Sequence, residues 1–303
     1  MDRFDAIRTL LAAVDGGSLS AASRKLRMPL PTVSRKVSDL ERHLGTQLVV
    51  RTSRKLLLTD AGRAFVGSSR VVLDMRDEAE RAAAGEYRAP RGDLLVTAPI
   101  LFGKLHVAPI AIEFLAAYPE VNLKLVLADH VIDLADNHVD AAVRIGKLPD
   151  SALLATHLGD IHWVTCASAG YLTRRGTPAM PTDLPGHDCI AFEALEPVRD
   201  WRFTDGARSQ TIIISPRFSV STAESVIDAA IAGVGICRVI SYQADSALRS
   251  GTLIRVLADH SPEPVPIHLI HTRQALIPLK LRAFLDFAQP RLKARIAAVN
   301  EDR

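Results

Sequence analysis

Aromatic residues make up only 5% of this chain of 303 residues, so its cores have to be aliphatic. It has three cysteines, Cys166, Cys189 and Cys237, widely spaced and odd in number. They cannot close a full disulfide framework, and no Cys-x-x-Cys pair points to zinc or to a dithiol redox motif. Each reads as a small core residue, with redox sensing as the alternative. No apolar run approaches the roughly 20 residues of a membrane-spanning helix. The opening Met1-Asp-Arg-Phe-Asp5 lacks the apolar stretch of a secretory signal, so cytoplasmic residence and no membrane partner are expected.

Enzyme signatures are also missing. Gly233-Val-Gly235 follows a helical pattern instead of a strand, which excludes a dinucleotide turn. No Gly-x-Ser-x-Gly nucleophile elbow occurs. His268 and His271 are three apart on a strand and therefore face opposite ways. His130 and His138 sit in a polar connection without a third ligand. No catalytic residue, metal or cofactor is expected.

What the chain does have is a lopsided charge. The net formal charge is +3, but residues 1–60 hold 11 basic and 6 acidic residues, against 26 and 28 in the remainder. A basic head on a near-neutral body suits a nucleic-acid-binding domain joined to something else. The length also calls for more than one folding unit.

In the head, Phe4, Ile7, Leu10, Leu11 and Val14 have helical spacing, with Asp2 as N-cap and Gly16-Gly17 as the stop. Ser20 is read as the cap of a short helix to Leu26, and Met28-Pro-Leu-Pro31 breaks the chain. A third helix follows, with Val33, Val37, Leu40 and Leu44 on its buried side and Gly45 at its end. Leu48–Val50 and Leu56–Leu58 read as strands around a basic tip. Helix, helix, break, helix and basic hairpin make a winged helix-turn-helix, whose third helix enters the major groove.

About 100° per residue places Pro31, Ser34, Arg35, Ser38 and Arg42 on the outer side, a small, hydroxylic and cationic face read as free of carboxylates. Arg35 is the long donor near its start, and arginine to guanine is the commonest specific contact. Leu30 and Thr32 flank it, and Lys36 and Arg42 are assigned to phosphates. Arg51, Arg54 and Lys55 of the hairpin can reach the backbone or minor groove.

A fourth helix is read from Asp60 to Glu86 behind a Thr59 cap, with a thin seam at Phe65, Ser68, Val72, Met75, Ala79 and Ala82. Near-heptad spacing makes Phe65, Val72, Met75 and Ala79 a dimer interface, or alternatively a face packed on the helix's own domain. Tyr87–Gly92 reads as a linker. From Asp93 strands alternate with helices, the mark of an α/β domain. The expected elements are strands at 94–98, 121–127, 141–145, 163–167, 210–214, 218–220 and 267–270, and helices at 102–118, from 169, at 222–232, 243–248 and 279–292.

The motifs resemble one family. Gly17-Ser-Leu-Ser-Ala-Ala-Ser-Arg-Lys-Leu26, Pro31-Thr-Val-Ser-Arg-Lys-Val37, Leu40-Glu-Arg-His-Leu-Gly45, Arg51-Thr52 and Leu58-Thr-Asp-Ala-Gly62 are similar to the head of LysR-type transcriptional regulators. Val96-Thr-Ala-Pro99, Tyr118-Pro119, Asp140-Ala-Ala-Val-Arg-Ile-Gly146, Cys166-Ala-Ser, Tyr171-Leu and Ala232-Gly-Val-Gly-Ile236 resemble the effector domain of the same family.

The resemblance implies a fold of α plus α/β class. It comprises a winged helix-turn-helix at 1–60, a dimerising linker helix at 60–87 and a two-lobed periplasmic-binding-protein-like (type 2) effector domain at 92–303. Lobe I is about 92–166 with 267–303, and lobe II about 167–266. The implied partners are double-stranded DNA bearing an interrupted palindrome, a small-molecule effector, further copies of the chain in a dimer of dimers, and RNA polymerase.

Two departures stand out. The family usually has Ser-Gln before the recognition-helix proline, where this chain has Pro29-Leu30, so only apolar contact remains at that point. Relatives commonly carry a serine where this chain has Leu101, which predicts a less polar effector than a dicarboxylate.

Effector candidates cluster where helix starts and strand ends meet between lobes: Ile100, Leu101 and Phe102, Arg144 and Ile145, Ser221 and Thr222, and Ile236 and Cys237. Arg144 either binds an anionic ligand or pairs with a nearby acid. The rival reading is a free-standing solute-binding protein, or an enzyme, with a basic extension.

Overall fold

The structure, a computed structural model, describes all residues except 1, 52–55, 84–88, 131, 135–136, 138, 149–152, 194–198, 207, 273–276 and 302–303, and all their side chains except those of 51, 74, 75, 78–83 and 301. It forms two compact units, one of residues 1–89 with 133–138 and 274–279, the other of 90–132, 139–273 and 280–303.

The first unit opens with α1 (Arg3–Asp15), α2 (Leu19–Lys25) and α3 (Leu30–Leu44). Asp2 caps α1, accepting from Phe4 N–H at 3.0 Å. Ser18, not Ser20, caps α2, accepting from Ala21 N–H at 3.1 Å. The difference has a simple cause: Gly17 takes φ +70°, which ends the turn early and lets Leu19 start the helix. Pro29 precedes α3 without a side-chain cap, and Pro31, which has no N–H to leave unsatisfied, sits in its first turn. Gly45 closes α3 in the left-handed conformation.

The strands β1 (Val49–Arg51) and β2 (Leu56–Leu58) pair antiparallel, and α4 (Asp60–Ala83) follows. Ala6, Leu10, Val37, Leu40, Leu48, Val49 and Val66 form the core. Leu44, expected inside, is 38% exposed, because the helix ends there before anything covers it.

The second unit holds two five-stranded sheets. One has the order β4-β3-β5-β14-β6 and the other β11-β8-β12-β7-β13. In chain order, β3 (Gly92–Ala98) leads into α5 (Ile100–Phe102), a π-helical turn at Gly103–Val107, and α6 (Ala108–Ala117). Then come β4 (Val121–Leu127), β5 (Ala141–Ile145) and β6 (Leu153–Ile161). The chain crosses at residue 162 into β7 (Trp163–Ala167), α7 (Ala169–Arg175) and β8 (Cys189–Phe192).

An antiparallel hairpin, β9 (Asp200–Asp205) and β10 (Arg208–Ile213), is followed by β11 (Pro216–Val220), α8 (Ala223–Ile231), β12 (Ile236–Ile240), α9 (Ser241–Arg249) and β13 (Ile254–Val256). Residues 257–264 return the chain to the first sheet as β14 (Val265–Thr272), and α10 (Leu279–Glu301) ends it. The first crossover lies before Trp163, so β7 belongs to the second sheet, although the boundary read from sequence fell at 166.

The helical segment Ile100–Ala117 has the length and mean hydropathy of a membrane span, contrary to the reading that no apolar run comes near one. It carries Lys104, His106 and Glu113, and Phe102, Val107, Ile110 and Phe114 are buried in the domain.

Candidate DNA interface and effector cleft

Val33, Val37 and Leu40 are buried, which turns Leu30, Pro31, Arg35 and Arg42 to the surface and leaves Thr32, Ser34 and Ser38 half-buried at its edge. Two predicted cations already have partners. Lys36 forms an ion pair with Asp5 of α1, and Arg42 holds Asp39 at 2.8 Å. The outer face is therefore not free of carboxylates: Asp39 lies one turn beyond Arg35, a position that helical periodicity also gives. Both ion pairs have an exposed partner, so they are weak and exchangeable.

The hairpin is fastened to α3 and α4 at one point. Leu48 N–H and Val49 N–H donate to Glu41 Oε1 at 2.9 and 3.0 Å. Thr59 N–H donates to Leu48 O at 3.0 Å, and Thr59 Oγ1 accepts from Gly62 N–H at 2.9 Å. A Cβ at Gly62 would stand 1.9 Å from Leu48 O, so only glycine fits there. The backbone of Arg51 pairs with Leu56, while Arg54 and Lys55 lie outside the described residues.

Along α4, Val66, Ser69 and Leu73 are buried, and Arg8 reaches Asp77 at 2.7 Å. Phe65 packs, half-buried, on the head's own core, whereas Val72 is 47% exposed. The predicted seam is thus divided: Phe65 serves its own domain and Val72 faces outward. The side chains of Met75 and Ala79 lie outside the described ones.

In the second unit the effector candidates separate by burial. Leu101 and Phe102 are core residues, and Ile236 and Cys237 are fully buried inside the second sheet. Ile100, Arg144, Ile145 and Thr222 are half-buried, and Ser221 is exposed. Arg144 donates to Ile132 O at 2.5 Å, and burial lowers its pKa. Ile100 N–H is taken by the carboxylate of Asp129 at 2.9 Å, so the start of α5 already holds an anion.

Thr222 caps α8, accepting from Ser225 N–H at 3.3 Å and donating to Ser225 Oγ at 2.8 Å. A cavity of about 450 Å³ lies there, lined by Glu193, Ser219, Val220, Ser221 and Ser225. Sequence reading missed Glu193, which had no periodic or motif signal. Lys104 of the first sheet's helix reaches Glu224 of α8 at 2.6 Å.

Near this contact His106 packs against Phe102 and Tyr242, with ring centroids 4.7 and 5.8 Å away. Burial, helped by Arg295, pushes its pKa down to about 4 against a smaller opposing effect of Asp245. Cys166 and Cys237 are register partners on β7 and β12 with Sγ atoms 3.4 Å apart. The hydrogen bond to Cys166 and burial hold the Cys237 thiol protonated, and burial with Asp188 pushes Cys189 up to about 12. Among the described residues no group of three or more His, Cys, Asp or Glu is placed for a metal.

A winged helix-turn-helix followed by a two-sheet α/β domain defines a DNA-binding regulator with an effector-binding domain. The model of the bacterial regulatory helix-turn-helix proteins of the lysR family matches residues 4–63, and that of the LysR substrate binding domain matches 88–293. The chain belongs to the LysR-type transcriptional regulator family.

It is 34% identical over 283 residues to an HTH-type transcriptional regulator of Xanthomonas campestris, covering 92% of this chain and 82% of the relative. The solved structure of CrgA, a LysR-type transcriptional regulator from Neisseria meningitidis, is 32% identical with a TM-score of 0.62, covering 95% of this chain and 98% of that one. Full-length LysG from Corynebacterium glutamicum, solved with bound effector Arg, shares the fold at 21% identity, with a TM-score of 0.65 and coverage of 96% and 98%. The relatives are regulators and not enzymes.

Proposed function

We propose that α3 reads an operator through Leu30, Pro31, Thr32, Ser34, Arg35 and Ser38, with Arg35 on a base edge. Arg42, Lys36 and the hairpin residues Arg51, Arg54 and Lys55 hold the phosphates, with Lys36 and Arg42 exchanging their weak pairs with Asp5 and Asp39 for DNA. The observation that carries this reading is the exposed face of α3 opposite the buried Val33, Val37 and Leu40.

The chain acts as a dimer through the outward face of α4 around Val72, with Met75 and Ala79 as its extension, and two dimers assemble on an interrupted palindrome. Residues 1–60, 60–87 and 92–303 serve as reader, linker and sensor, in the cytoplasm, with RNA polymerase as the downstream partner.

The effector occupies the cavity before α8, held by Ser221 and Thr222. Glu193, the one charged residue lining that cavity, repels carboxylates, so the effector there is neutral or cationic. Its binding favours one arrangement of the lobes and so changes the spacing of the paired heads.

Mapping the bound DNA genome-wide, then titrating a bound fragment with and without candidate effectors, tests the whole reading. Bound fragments that share no inverted repeat overturn it. Equal effector affinity in wild type and Thr222→Val removes Thr222 from the site.

A further inference from the structure

A second cavity, of about 650 Å³, lies on the other face of the second sheet, beside the β9–β10 hairpin. Side chains alternate along β12, so Cys237 and Val239 point to the α8 side while Arg238 points to the hairpin. Arg238 is 9% exposed and lines this cavity. Its Nε is buried without a hydrogen-bond partner among the described residues. The guanidinium instead lies over the rings of Trp163 and Phe203, at 4.5 and 5.2 Å.

The charges around it add to the problem. Lys147 and Arg202 line the same cavity, and Asp200 and Glu263, which also line it, make no ion pair with Arg238 among the described residues; three cations against two carboxylates leave this lining net positive, whereas Glu193 is the one charged residue lining the cavity before α8. Burial, with repulsion from Arg202, pulls the Arg238 pKa down to about 10. A buried cation without an anion is costly, and a guanidinium is built to hold a carboxylate with two parallel hydrogen bonds. Of the remaining wall, Trp163, Pro262, Pro264, Val265 and Pro266 form an apolar side, and Thr204 and Ser209 add two hydroxyls. The volume lies in the range of small-molecule sites.

We propose that this cavity is a second ligand site, separate from the one before α8, and that it takes a small carboxylate with an apolar body, the carboxylate on Arg238 and the body against Trp163 and the prolines. Trp163 follows the first crossover and Pro264–Pro266 end the second, so a ligand here touches both connections between the sheets. It can therefore bias lobe closure independently of the effector before α8.

The test is calorimetric titration of the full chain with benzoate, phenylacetate, indole-3-acetate and isovalerate, with benzyl alcohol as the neutral comparison. At least one acid should bind with a Kd below about 10 mM, and more than tenfold tighter than the alcohol. Arg238→Met should abolish that heat, and Thr222→Val should keep it. Arg238→Met should also melt at or above the wild-type temperature, since it removes an unpaired buried charge, and this shows that the variant is folded. The proposal fails if no acid binds, if the alcohol binds equally well, or if folded Arg238→Met binds the acid like wild type.

Discussion

Replacing Arg35 and Arg42 separately by alanine distinguishes base reading from phosphate contact. Arg35 is exposed on α3 with the core residues Val33 and Val37 beneath it, so its removal leaves the fold intact. A lost bidentate base contact costs about 1–3 kcal/mol. On the proposed palindrome two heads engage, so the operator should lose about 2–6 kcal/mol, or roughly 30-fold to 10⁴-fold in Kd. Random DNA should be bound almost as before.

Arg42→Ala should weaken both DNAs alike. Two lost phosphate contacts lower the salt slope by about 1.8, so the deficit changes about tenfold between roughly 50 and 200 mM salt. Because Arg42 sits 2.8 Å from Asp39, Asp39→Asn should move the other way and tighten binding to any sequence. Mobility shifts on operator and random fragments over a salt series measure all three variants. If Arg35→Ala loses equally on both fragments, or loses nothing on the operator, the assignment of α3 as the reading helix is wrong.

Four further outcomes are expected. Gly62→Ala forces a Cβ into the Leu48 carbonyl and should cost about 3 kcal/mol, seen as a lower melting temperature of the head; an unchanged melt refutes the contact. Val72→Asp should dissociate the dimer in sedimentation and abolish operator binding, without the damage to the head's core that an Asp at Phe65 brings. His106 titrates near 4 in the fold and near 6.5 in the unfolded chain, so the unfolded chain binds more protons between these values; its contribution to stability is complete above pH 6.5 and is lost as pH falls toward 4, and His106→Leu should flatten melting temperature against pH over that window. All three cysteines are buried, so none should react with a water-soluble disulfide reagent before unfolding, and a fast-reacting thiol in the native protein contradicts this.

The head was legible because its core residues repeat with helical spacing and its breaks are glycine and proline, as at Gly45 and Pro29–Pro31. What periodicity could not give was the fate of side chains beyond their own helix. Lys36 looked available for phosphate, but Asp5, 31 residues earlier, meets it only after α1 and α3 pack. Leu44 fitted the apolar stripe, yet the stripe outlasts the surface it covers.

In the second unit, β6 was missed because Thr156, His157, Gly159 and Asp160 interrupt the apolar residues of Leu153–Ile161 and leave no clean alternation. The strand β9 carries a signal in the alternation of Trp201 and Phe203, too short by itself to show the hairpin whose Phe203 packs on Arg238. The effector candidates were placed by chain position alone. Burial then divides them, since Ile236 and Cys237 sit at the start of a central strand with sheet neighbours on both sides.

The fastening at Leu48 ties β1, α3 and the first turn of α4 into one piece. Glu41 holds the strand from the α3 side, Thr59 from the α4 side, and Gly62 leaves no gap between. A helix of 24 residues extending from that piece is a lever arm about 36 Å long. Tilting it by about 5° moves its far end by about 3 Å, comparable to the rise of one base-pair step, about 3.4 Å per strand. Run in reverse, a displacement of that size at the far end turns α3 by the same angle.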